Sequence, residues 1–556
     1  MTIAAEVLVQ CLKAHNIDRV FCVPGESYLS VINRLRDARD INVITCRHES
    51  GAGFMALGHA RLTSRPGVVF VSRGPGCMNA AIAIHSAQQD ASPLVVFVGQ
   101  AERENLRREA FQAINYEIMF NDVAKWAVEV NDEERLEDVV STAFYVAQSG
   151  TPGPVVVSLP EDMLEASCEF YECYPRSLSQ STISATDADA VLAALAQAKQ
   201  PLIIAGGLMK TEAAKRTLQA FAEAFQLPVA TSVRHADVFD NNHPLFAGHL
   251  TYGLPPALSK AVGKADLVMA IGCRLGDVTS QGFDFPAAPK PAQQLIHIWP
   301  DANVVSRYRQ TDYAFPAHPV PVLEMLLERH KDYNGQANQA WCDELHRTVK
   351  ELQHWEEQPD ESDGIVFGNV AAIADALIPQ DAIICMDAGN FGGWVQRQLR
   401  FGSQRALIGP SSGAMGYGTP SAIGCALEQP DRQVVCFVGD GGFLMTGNEL
   451  ATAAQNGVNL VVIICDNGSY GTIRMHQEMH YPGREYATTL RNPNLPLMAK
   501  ALGATAYDVQ KTIDFAPALK EALAGSGLQV IVVRTAINAI SANATISELQ
   551  QRVREG

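Results

Sequence analysis

The sequence predicts an α/β protein made of three doubly wound domains, each built on a parallel sheet. Short, fully apolar runs of strand length alternate with helical segments along most of the 556 residues. Such runs are typical of parallel strands buried on both faces. The chain is also long enough for three or four domains, and two polar stretches divide it into three blocks. These observations together indicate the fold class.

The first predicted domain spans residues 1–167. Its strand candidates are separated by helical stretches and are Val20–Val23, Val43–Cys46, Val68–Val71, Leu94–Val98 and Val155–Leu159. A polar connector rich in Ser, Thr and Tyr follows, from Cys168 to Asp187. Because such a composition does not favour burial, we expect the first domain to end before it.

The second and third predicted domains span residues 188–330 and 364–540, and a charged, helix-forming stretch connects them. The strand candidates of the second domain are Leu202–Ala205, Val229–Thr231, Leu267–Ile271 and Leu295–Ile298. Those of the third are Ala382–Met386, Val434–Val438, Leu460–Cys465 and Val530–Val533. Residues 541–556 are predicted to form a polar helical tail.

The first and third domains share a layout. Twenty-six positions separate Val68 from Leu94, and the same number separates Val434 from Leu460. In both cases a strand ends in a glycine-rich turn, and a helix precedes the second strand. Only the third-domain turn carries an acid, Asp440. The pattern predicts two similarly folded domains with one metal site, which fits a cofactor held between them.

Composition argues against several function classes. The chain has 60 acidic and 43 basic residues and a formal net charge of −17, which disfavours nucleic acids and anionic membranes as partners. The N-terminal segment resembles no signal peptide, and no apolar run is long enough to span a membrane. The 12 cysteines are scattered without a CxxC motif, which indicates reduced, buried thiols. We therefore predict a cytoplasmic protein whose partner is a small molecule in a locally positive pocket.

Polar residues follow two neighbouring strands of the third domain. Gly439-Asp440-Gly441 ends the first strand, and Asp466-Asn467-Gly468 ends the second. Because the carboxyl ends of parallel strands meet at one sheet edge, Asp440 and Asn467 should lie close together, where their oxygens suit Mg²⁺ carrying a diphosphate. A structural role for a glycine-flanked Asp is about equally common, but the position of Asn467 favours the metal site.

At these residues the chain resembles a known family. A Gly-Asp-Gly turn followed, after a strand, by Asn is similar to the fingerprint of thiamine diphosphate enzymes. Over essentially its whole length the chain resembles the acetolactate synthase/pyruvate decarboxylase family, with pyrimidine-binding, middle and diphosphate-binding domains in that order. The resemblance implies the thiamine diphosphate-binding fold, the cofactors thiamine diphosphate and Mg²⁺, and metal ligation by Asp440, Asn467 and the backbone carbonyl of Ser469.

The resemblance also implies three catalytic residues. Glu49, in Arg47-His48-Glu49, would hydrogen-bond the aminopyrimidine ring of the cofactor and promote loss of the proton from its thiazolium C2. Met415 would lie beneath the cofactor and impose the bent shape that brings the amino group to C2. Gln112 would reach the reacting centre. From the local sequence alone, an N-capping acid at Glu49 and an ordinary glycine-rich turn at Met415 are the alternatives.

Further contacts follow from the same resemblance. Cofactor contacts are expected at Pro24, Gly25, Gly74, Gly76, Asn79, Gly389, Asn390, Phe391, Gly413, Met415, Gly439, Asp440, Gly441, Gly442, Asn467, Ser469, Tyr470, Gly471, Thr472 and Ile473. Substrate contacts are expected at Arg73, Phe111, Gln112 and His476. Acetolactate synthases carry His, Glu and often Trp where Phe391, Ala113 and His476 stand here, so the substrate preference is open.

Two of these positions have alternative interpretations. Arg73 either binds a substrate carboxylate or merely pairs with an acid. His476 and His480 lie four residues apart on a predicted helix, a spacing that can bind metal, but no third ligand accompanies them and a metal pair is disfavoured. The absence of the adjacent His-His pair found in pyruvate decarboxylases modestly favours a carboligase.

The predicted function is that of a thiamine diphosphate- and Mg²⁺-dependent lyase or carboligase acting on 2-oxo acids or 2-hydroxy ketones, with 2-oxo acids and aldehydes as small-molecule partners. FAD is not favoured, because Arg274-Leu275-Gly276-Asp277-Val278 replaces the Arg-Phe-Asp-Asp-Arg segment of FAD-binding acetolactate synthases. The resemblance implies at least a homodimer, with a homotetramer favoured, and an active site that takes Glu49 and Asp440 from different chains.

Three alternatives remain open at this point. The first is a 2-oxo-acid or CoA-thioester decarboxylase of the same fold. The second is an NAD- or FAD-dependent oxidoreductase, although no GxGxxG motif follows a strand. The third is a non-catalytic protein on this fold, which the presence of both Glu49 and Asp440 disfavours.

Overall fold

The computed structural model describes residues 2–170, 172–333, 335, 338–402 and 404–555. Three six-stranded sheets form its framework, and every pairing within them is parallel. Successive residues of the central strands enter different hydrophobic cores: Val69 and Val96 lie in one, Val68 and Val95 in another. The sheets are therefore buried on both faces, and the predicted fold class is confirmed.

The first sheet has the strand order β3-β2-β4-β5-β7-β6, and a separate two-stranded antiparallel pair joins the two ends of this part of the chain. Its elements are β1 (Thr2–Ile3), α1 (Ala4–Ala14), β2 (Arg19–Cys22), α2 (Leu29–Asp37), β3 (Asn42–Thr45), α3 (Glu49–Thr63), β4 (Gly67–Val71), α4 (Gly74–Asp90), β5 (Leu94–Gln100), α5 (Tyr116–Met119), β6 (Trp126–Glu129), α6 (Leu136–Gln148), β7 (Pro154–Pro160), α7 (Glu161–Glu165) and β8 (Ser167–Cys168). The antiparallel pair consists of β1 and β8.

The second sheet has the order β11-β10-β9-β12-β13-β14. Its elements are α8 (Ala185–Gln197), β9 (Pro201–Ala205), α9 (Glu212–Phe225), β10 (Val229–Thr231), β11 (Phe246–His249), α10 (Pro256–Val262), β12 (Leu267–Ile271), β13 (Gln294–Ile298), β14 (Tyr313–Phe315), α11 (Pro319–Glu328) and α12 (Gln339–Gln353). This is the order of dinucleotide-binding sheets, with the first strand of the domain at the centre. Helix α12 lies in the predicted connector.

The third sheet has the order β16-β15-β17-β18-β20-β19. Its elements are α13 (Phe367–Leu377), β15 (Ile383–Met386), α14 (Phe391–Gln398), β16 (Ala406–Ile408), α15 (Gly418–Glu428), β17 (Val434–Gly439), α16 (Asp440–Thr446), α17 (Leu450–Gln455), β18 (Leu460–Asp466), α18 (Gly471–His480), α19 (Leu495–Ala501), β19 (Thr505–Val509), α20 (Thr512–Ala524), β20 (Leu528–Arg534) and α21 (Ile546–Glu555). Helix α21 occupies most of the predicted tail.

The first and third sheets have the same topology. If the strands of each six-stranded sheet are numbered along the chain, both run second-first-third-fourth-sixth-fifth. The pair β4 and β5 therefore corresponds to β17 and β18, the two pairs in which the sequence shows equal spacing. The shared layout seen in the sequence thus reflects a shared topology.

These two sheets also share one hydrophobic core, which joins them through α3 and α15. The helices approach so closely that a Cβ added at Gly58 would lie 2.3 Å from the carbonyl oxygen of Ser421. A Cβ added at Gly424 would lie 2.2 Å from the carbonyl oxygen of Met55. Glycine at both positions is what permits this contact, and through it the first domain is packed against the third.

Five strands of the main sheets were not predicted: β6, β11, β14, β16 and β19, all of which lie at sheet edges.

All twelve cysteines are free and buried. Within the part of the chain that the structure describes, no helix is long and apolar enough to cross a membrane.

Candidate active site

A cavity of about 720 Å³ lies between the second and third domains. The turns that follow β15, β17 and β18 form one wall, and residues after β10 and β11 form another. Ligands of parallel sheets bind at this carboxyl edge, and the volume is that of an ordinary small-molecule site. The position therefore agrees with the predicted cofactor edge.

Every third-domain residue predicted for the site lines this cavity. These residues are Gly389, Asn390, Phe391, Gly413, Met415, Gly439, Asp440, Gly441, Gly442, Asn467, Ser469, Tyr470, Gly471, Thr472, Ile473 and His476. They come from four separate loops and the helices that follow them, so the fold brings together segments that are far apart in the sequence.

Asp440 ties two of these strand ends together. Its Oδ1 accepts a hydrogen bond from the backbone N–H of Gly441 (2.9 Å), and its Oδ2 accepts one from the N–H of Gly468 (2.9 Å). Burial raises the pKa of Asp440 to about 6. Nearby, Asn467 Oδ1 accepts from the N–H of Ser469 (3.0 Å). The result is a compact group of oxygen ligands at one sheet edge.

The donor set of this edge fits a metal-bound diphosphate. Carboxylate, amide and backbone carbonyl oxygens are the ligands that Mg²⁺ accepts, with phosphate oxygens and water completing its shell. The N-termini of α14 and α18 also border the cavity. The dipoles of these helices favour a bound anion.

Asn492 is a site residue that the sequence analysis missed. Its Nδ2 donates to Asp440 Oδ2 (2.7 Å) and to Asp466 Oδ1 (2.8 Å), so that it bridges two neighbouring acids. It lies in the loop before α19, away from any strand end. No motif marks it, and only the folded loop brings it to Asp440 and Asp466.

Asp387 directly follows a predicted strand, Ala382–Met386, but is not among the residues predicted for the site. Its buried carboxylate accepts hydrogen bonds from the backbone N–H groups of Ala388 (2.7 Å), Gly416 (3.1 Å) and Gly418 (2.9 Å). It thereby holds the turn that carries Met415. Burial raises the pKa of Asp387 to about 6. Its position directly after β15 was the available signal.

The first-domain residues form a separate group. Glu49 is the first residue of α3, and its Oε2 accepts a hydrogen bond from Asn79 Nδ2 on α4 (2.9 Å). A Cβ added at Gly76 would lie 3.2 Å from Glu49 Oε1. Pro24, Gly25, Glu49, Gly74, Gly76 and Asn79 lie at the carboxyl edge of the first sheet and do not line the main cavity. Within one chain the predicted site is therefore divided into two halves.

Two of the predicted substrate residues of the first domain, Arg73 and Phe111, line a smaller cavity of about 380 Å³, whereas Gln112 lines neither this cavity nor the main one. Arg73 forms an ion pair with Glu161 (2.7 Å) and donates to the carbonyl of Phe111 (3.4 Å). Gln112 follows with a left-handed backbone (φ 61°), and its carbonyl accepts from the N–H of Gly74 (2.9 Å). The pairing with Glu161 favours the structural alternative for Arg73, and its substrate role stays a prediction.

His476 and His480 both lie on α18, with parallel rings whose centroids are 6.4 Å apart. Over the described residues, no group of three or more His, Cys, Asp or Glu side chains is arranged to hold a metal ion. His476 lines the main cavity, so a contact with substrate is the role its position favours.

The glycine turn of the second domain is closely packed against its neighbours. In sheets of this order the turn after the first strand binds a pyrophosphate. Here a Cβ added at Gly207 would lie 2.5 Å from His235 Nε2, and one added at Gly206 would lie 2.4 Å from the carbonyl oxygen of Gly272. The His235 ring therefore packs against this turn.

Each of the three domains matches a domain of one known enzyme family. Residues 2–119 match the N-terminal thiamine pyrophosphate-binding domain of thiamine pyrophosphate enzymes. Residues 188–326 match the central domain of these enzymes, and residues 387–533 match their C-terminal thiamine pyrophosphate-binding domain.

Individual relatives cover nearly the whole chain. The acetolactate synthase large subunit of Corynebacterium glutamicum is 30% identical over 93% of this chain and 84% of its own length. The large subunit of acetolactate synthase isozyme 1 of Escherichia coli is 31% identical over 95% of this chain and 93% of its own.

A solved structure shows the same architecture. The thiamine diphosphate-dependent 4-hydroxybenzoylformate decarboxylase of Rhodococcus jostii superposes with a TM-score of 0.83 at 25% identity and covers 96% of this chain and 99% of its own. Together with the cavity edge at Asp440 and Asn467, these relationships establish that the chain belongs to the thiamine diphosphate-dependent enzymes of the acetolactate synthase/pyruvate decarboxylase family, which act as carbon–carbon bond lyases and carboligases.

Proposed function

We propose that the chain is an acetolactate synthase-like carboligase that uses thiamine diphosphate and Mg²⁺ to cleave a 2-oxo acid and transfer the fragment to an aldehyde or a second oxo acid. The observation that carries this proposal is the meeting of Asp440, Asn467 and Ser469 beside the Met415 turn in one cavity. When bound, thiamine diphosphate supplies the carbon nucleophile and holds the electrons of the broken bond.

In this proposal the third domain holds the charged end of the cofactor. Asp440, Asn467 and the carbonyl of Ser469 would bind Mg²⁺, and the turns that line the cavity, including Gly389–Phe391 and Tyr470–Ile473, would hold the diphosphate. Asp387 keeps the turn at Met415 in place through its hydrogen bonds to Gly416 and Gly418. The functional units are residues 1–167, 188–330 and 364–540, with 541–556 as a tail.

The first domain supplies the proton-transfer group. The hydrogen bond from Asn79 orients Glu49 Oε2 and leaves Oε1 beside Gly76, where the absence of a side chain lets a planar ring approach. A carboxyl group at the N-terminus of α3 is well placed to share a proton with a ring nitrogen. Pro24, Gly25 and Gly74 complete the surroundings of that ring, and Gln112 faces the substrate.

The two halves are completed by a second copy of the chain. Met78 and Ile82 are 53% and 41% exposed on α4, beside Glu49, and Leu444 and Met445 are 38% and 50% exposed on α16, beside Asp440. Exposed apolar side chains next to both halves are typical of a surface that another subunit covers. The proposed minimum unit is a homodimer, and a homotetramer is the favoured assembly.

Three further expectations complete the proposal. The enzyme acts on small molecules in the cytoplasm, and neither nucleic acid nor a membrane is its partner. It works without FAD, which the packing of His235 over Gly207 supports. A simple decarboxylase is the second candidate, because the solved relative from Rhodococcus jostii is a decarboxylase.

One assay tests the function. Purified protein is incubated with thiamine diphosphate, Mg²⁺ and a panel of 2-oxo acids, with and without an aldehyde, and CO₂ and ketol products are measured. Ketol formation supports the carboligase, and CO₂ with free aldehyde alone supports the decarboxylase. If no 2-oxo acid is consumed, the proposed function is wrong.

Replacement of Glu49 tests the mechanism. Glu49→Gln should lower kcat by about 100-fold or more, the usual contribution of a positioned acid–base group, while calorimetry still detects cofactor binding at the metal edge. The matched control is Glu165→Gln, a change at an exposed acid on α7, which should keep full activity. Full activity in Glu49→Gln would exclude the proposed role.

A further inference from the structure

Arg234 is a buried cation in the wall of the main cavity. It lies in the loop after β10, is 3% exposed and lines the cavity. Its Nη1 would lie 3.3 Å from a Cβ added at Gly392, and its Cζ lies over the ring of Tyr252, 5.9 Å from the centroid. Gly392 and Tyr252 line the same cavity. The guanidinium is therefore placed at the cavity wall, between the second and third domains.

The guanidinium of Arg234 has few hydrogen-bond acceptors. Its Nη1 donates to the sulfur of Met386 (2.9 Å), and a thioether is a weak acceptor. Within the described ranges Nε has no partner, and the sulfur is the one acceptor that the five N–H donors meet. Buried charges in proteins are normally paired and hydrogen-bonded, so this exception indicates a partner that binds in the cavity.

The acids near Arg234 use their oxygens elsewhere. Asp387 accepts three backbone N–H bonds at the turns beside it. Asp90 forms an ion pair with Arg61 (3.1 Å) and accepts from the N–H of Ser411 (2.7 Å). No acid among the described residues forms an ion pair with Arg234. Burial lowers the pKa of Arg234, but a guanidinium stays protonated in proteins, so its charge remains.

The position of Arg234 distinguishes it from the proposed diphosphate site. A Cβ added at Gly409, directly after β16, would lie 3.5 Å from Arg234 Cδ. The turn that carries Met415 also follows β16. Asp440 and Asn467 follow β17 and β18, which lie on the other side of β15 in the sheet. Arg234 therefore lies on the side of the cavity that is proposed for the reacting end of the cofactor.

The chemistry of a guanidinium defines the missing partner. Its N–H groups form a rigid, planar fork that matches the two oxygens of a carboxylate. The carboxylate that leaves as CO₂ is a poor candidate, because an ion pair with it would stabilise the substrate more than the transition state. A second carboxylate, at the far end of the substrate, has no such disadvantage.

We propose that Arg234 binds a distal carboxylate of the donor substrate, so that the enzyme prefers dicarboxylic 2-oxo acids to monocarboxylic ones. This inference rests on the proposed function and specifies its substrate class.

Matched substrate pairs test the proposal on the holoenzyme. In each pair an isopropyl group replaces the distal carboxylate: 2-oxoglutarate and 5-methyl-2-oxohexanoate, and 2-oxoadipate and 6-methyl-2-oxoheptanoate. In at least one pair we expect kcat/KM of the dicarboxylate to be at least about tenfold higher, the scale of a charge-assisted hydrogen bond. A ratio near one for both pairs would overturn the proposal.

Substitution of Arg234 tests which group sets that ratio. Arg234→Met should lower the ratio by about tenfold or more, whereas Arg234→Lys, which keeps the charge but loses the fork, should give a value between those of the variant and the wild type. The control is Arg216→Met, the same change at an exposed arginine on α9 of the second domain, which should leave the ratio unchanged.

The stability of the variant separates binding from a structural role. Arg234→Met should not lower the resistance of the protein to urea, because it replaces an unpaired buried cation with an apolar side chain. A loss of stability together with an equal loss of kcat/KM for both members of each pair would contradict the proposal. An effect confined to the choice between oxo-acid and aldehyde acceptors would assign Arg234 to the acceptor and overturn the donor assignment.

A binding measurement separates this inference from the proposed function. Calorimetry with the cofactor-loaded Glu49→Gln protein gives the affinity for each member of a pair without turnover. Tighter binding of the dicarboxylate, lost in the double variant with Arg234→Met, supports the inference even if the reaction class is wrong. Equal affinities within both pairs, or a preference that Arg234→Met leaves unchanged, overturn it even if the carboligase is right.

Discussion

Two buried carboxyl groups beside the cavity are held by backbone N–H groups, and burial raises the pKa of both Asp387 and Asp440 to about 6. The two carboxyl groups have different roles. Asp440 faces the proposed metal, whereas Asp387 accepts three hydrogen bonds from the turns on either side of it. At neutral pH the buried, ionised Asp387 lowers the free energy of unfolding, but its hydrogen bonds fix the conformation of the turn at Met415.

The pH dependence of stability tests this account of Asp387. Its folded pKa of about 6 lies above the ordinary value of 3.8, so between about pH 4 and pH 6 the native state binds a proton that the unfolded state has lost. The contribution of Asp387 to the free energy of unfolding therefore falls as pH rises through this window, by up to about 1.4 kcal/mol per pH unit.

In Asp387→Asn this position binds no titratable proton. Asp440 titrates in both proteins, so its contribution cancels when the stability of the wild type is compared with that of the variant. In urea unfolding of the cofactor-free proteins, the stability of the wild type relative to the variant should decrease from about pH 4 to pH 6 and level off above it. A difference that is flat across the window would show that the folded pKa is not raised.

Glu449 positions the helix that begins with Glu49. Its fully buried carboxylate accepts hydrogen bonds from the backbone N–H groups of Arg47 (3.0 Å) and His48 (2.8 Å) and from the hydroxyl of Thr452 (2.6 Å). A third-domain acid thus stabilises the N-terminus of α3, where a negative charge is favourable. The two half-sites of one chain are coupled through this contact.

Glu449→Gln should weaken the contact, because its amide nitrogen would face N–H groups that need acceptors. We expect a loss of about 1–3 kcal/mol in the free energy of unfolding and a fall of about tenfold in kcat, since small displacements of catalytic groups are costly. Cofactor affinity should change little. Gln455→Ala, which removes an exposed partner of the Arg47 side chain, is the control, and unchanged kcat in Glu449→Gln would contradict the positioning role.

At the scale of elements, the packing of α3 on α15 is the contact that joins the first and third domains. Gly424→Ala places a methyl group where the carbonyl oxygen of Met55 lies 2.2 Å away. Because neither backbone can move without disturbing its sheet, we expect a loss of about 1–3 kcal/mol, the usual cost of overpacking. Thermal unfolding measures it.

Gly276→Ala is the matched control for this change. A Cβ at Gly276 would have no neighbour within 4 Å, so its effect on stability should stay within about 0.5 kcal/mol. Equal effects of the two substitutions would show that the helix contact is looser than the structure indicates.

Most of the strands that the sequence revealed lie in the interior of a sheet, and the edge strand β3 is the exception. β17 and β18 are apolar at nearly every position, and this makes them visible as runs. Five of the six edge strands of the main sheets were missed: among them, β6 is only half-buried along its length, two of the five residues of β19 are exposed, and β16 is three residues long. An edge strand needs one apolar face at most, so its sequence resembles that of a loop.

The residues of the site that directly follow predicted strands could also be predicted from the sequence. Asp440 and Asn467 follow apolar strands directly, and strand ends of a parallel sheet converge wherever the chain goes next. The role of Glu49 came from resemblance to a family. Asn492 and Glu449 had no signal, because each acts through contacts between segments far apart in the chain.

At the scale of the whole molecule, the charge of the main cavity is opposite in sign to the net charge of the chain. The chain carries a formal net charge of −17, yet the main cavity is lined by Arg234, Arg397 and Arg552, with Asp440 as the acid among the described lining residues. A positive cavity attracts anionic ligands such as diphosphates and 2-oxo acids, whereas the net negative charge of the whole chain repels other acidic surfaces. The small-molecule partner predicted from composition agrees with this arrangement.

The division of the site into two halves leads to a prediction about assembly. Glu49 and Asp440 come from domains with the same topology, and each half lies beside exposed apolar side chains. If two copies associate so that the first domain of one faces the third domain of the other, each dimer contains two complete sites. Every site then uses Glu49 from one chain and Asp440 from its partner.

Co-expression of two inactive variants tests this arrangement. Glu49→Gln and Asp440→Asn should each be inactive alone. In a mixed dimer one site carries both changes and the other carries neither, so random pairing should restore about a quarter of the wild-type activity. If Glu49 and Asp440 of one chain served the same site, every site would carry one change and no activity would return. Co-expression of two differently tagged Glu49→Gln chains is the control, because it forms the same dimers without an intact site.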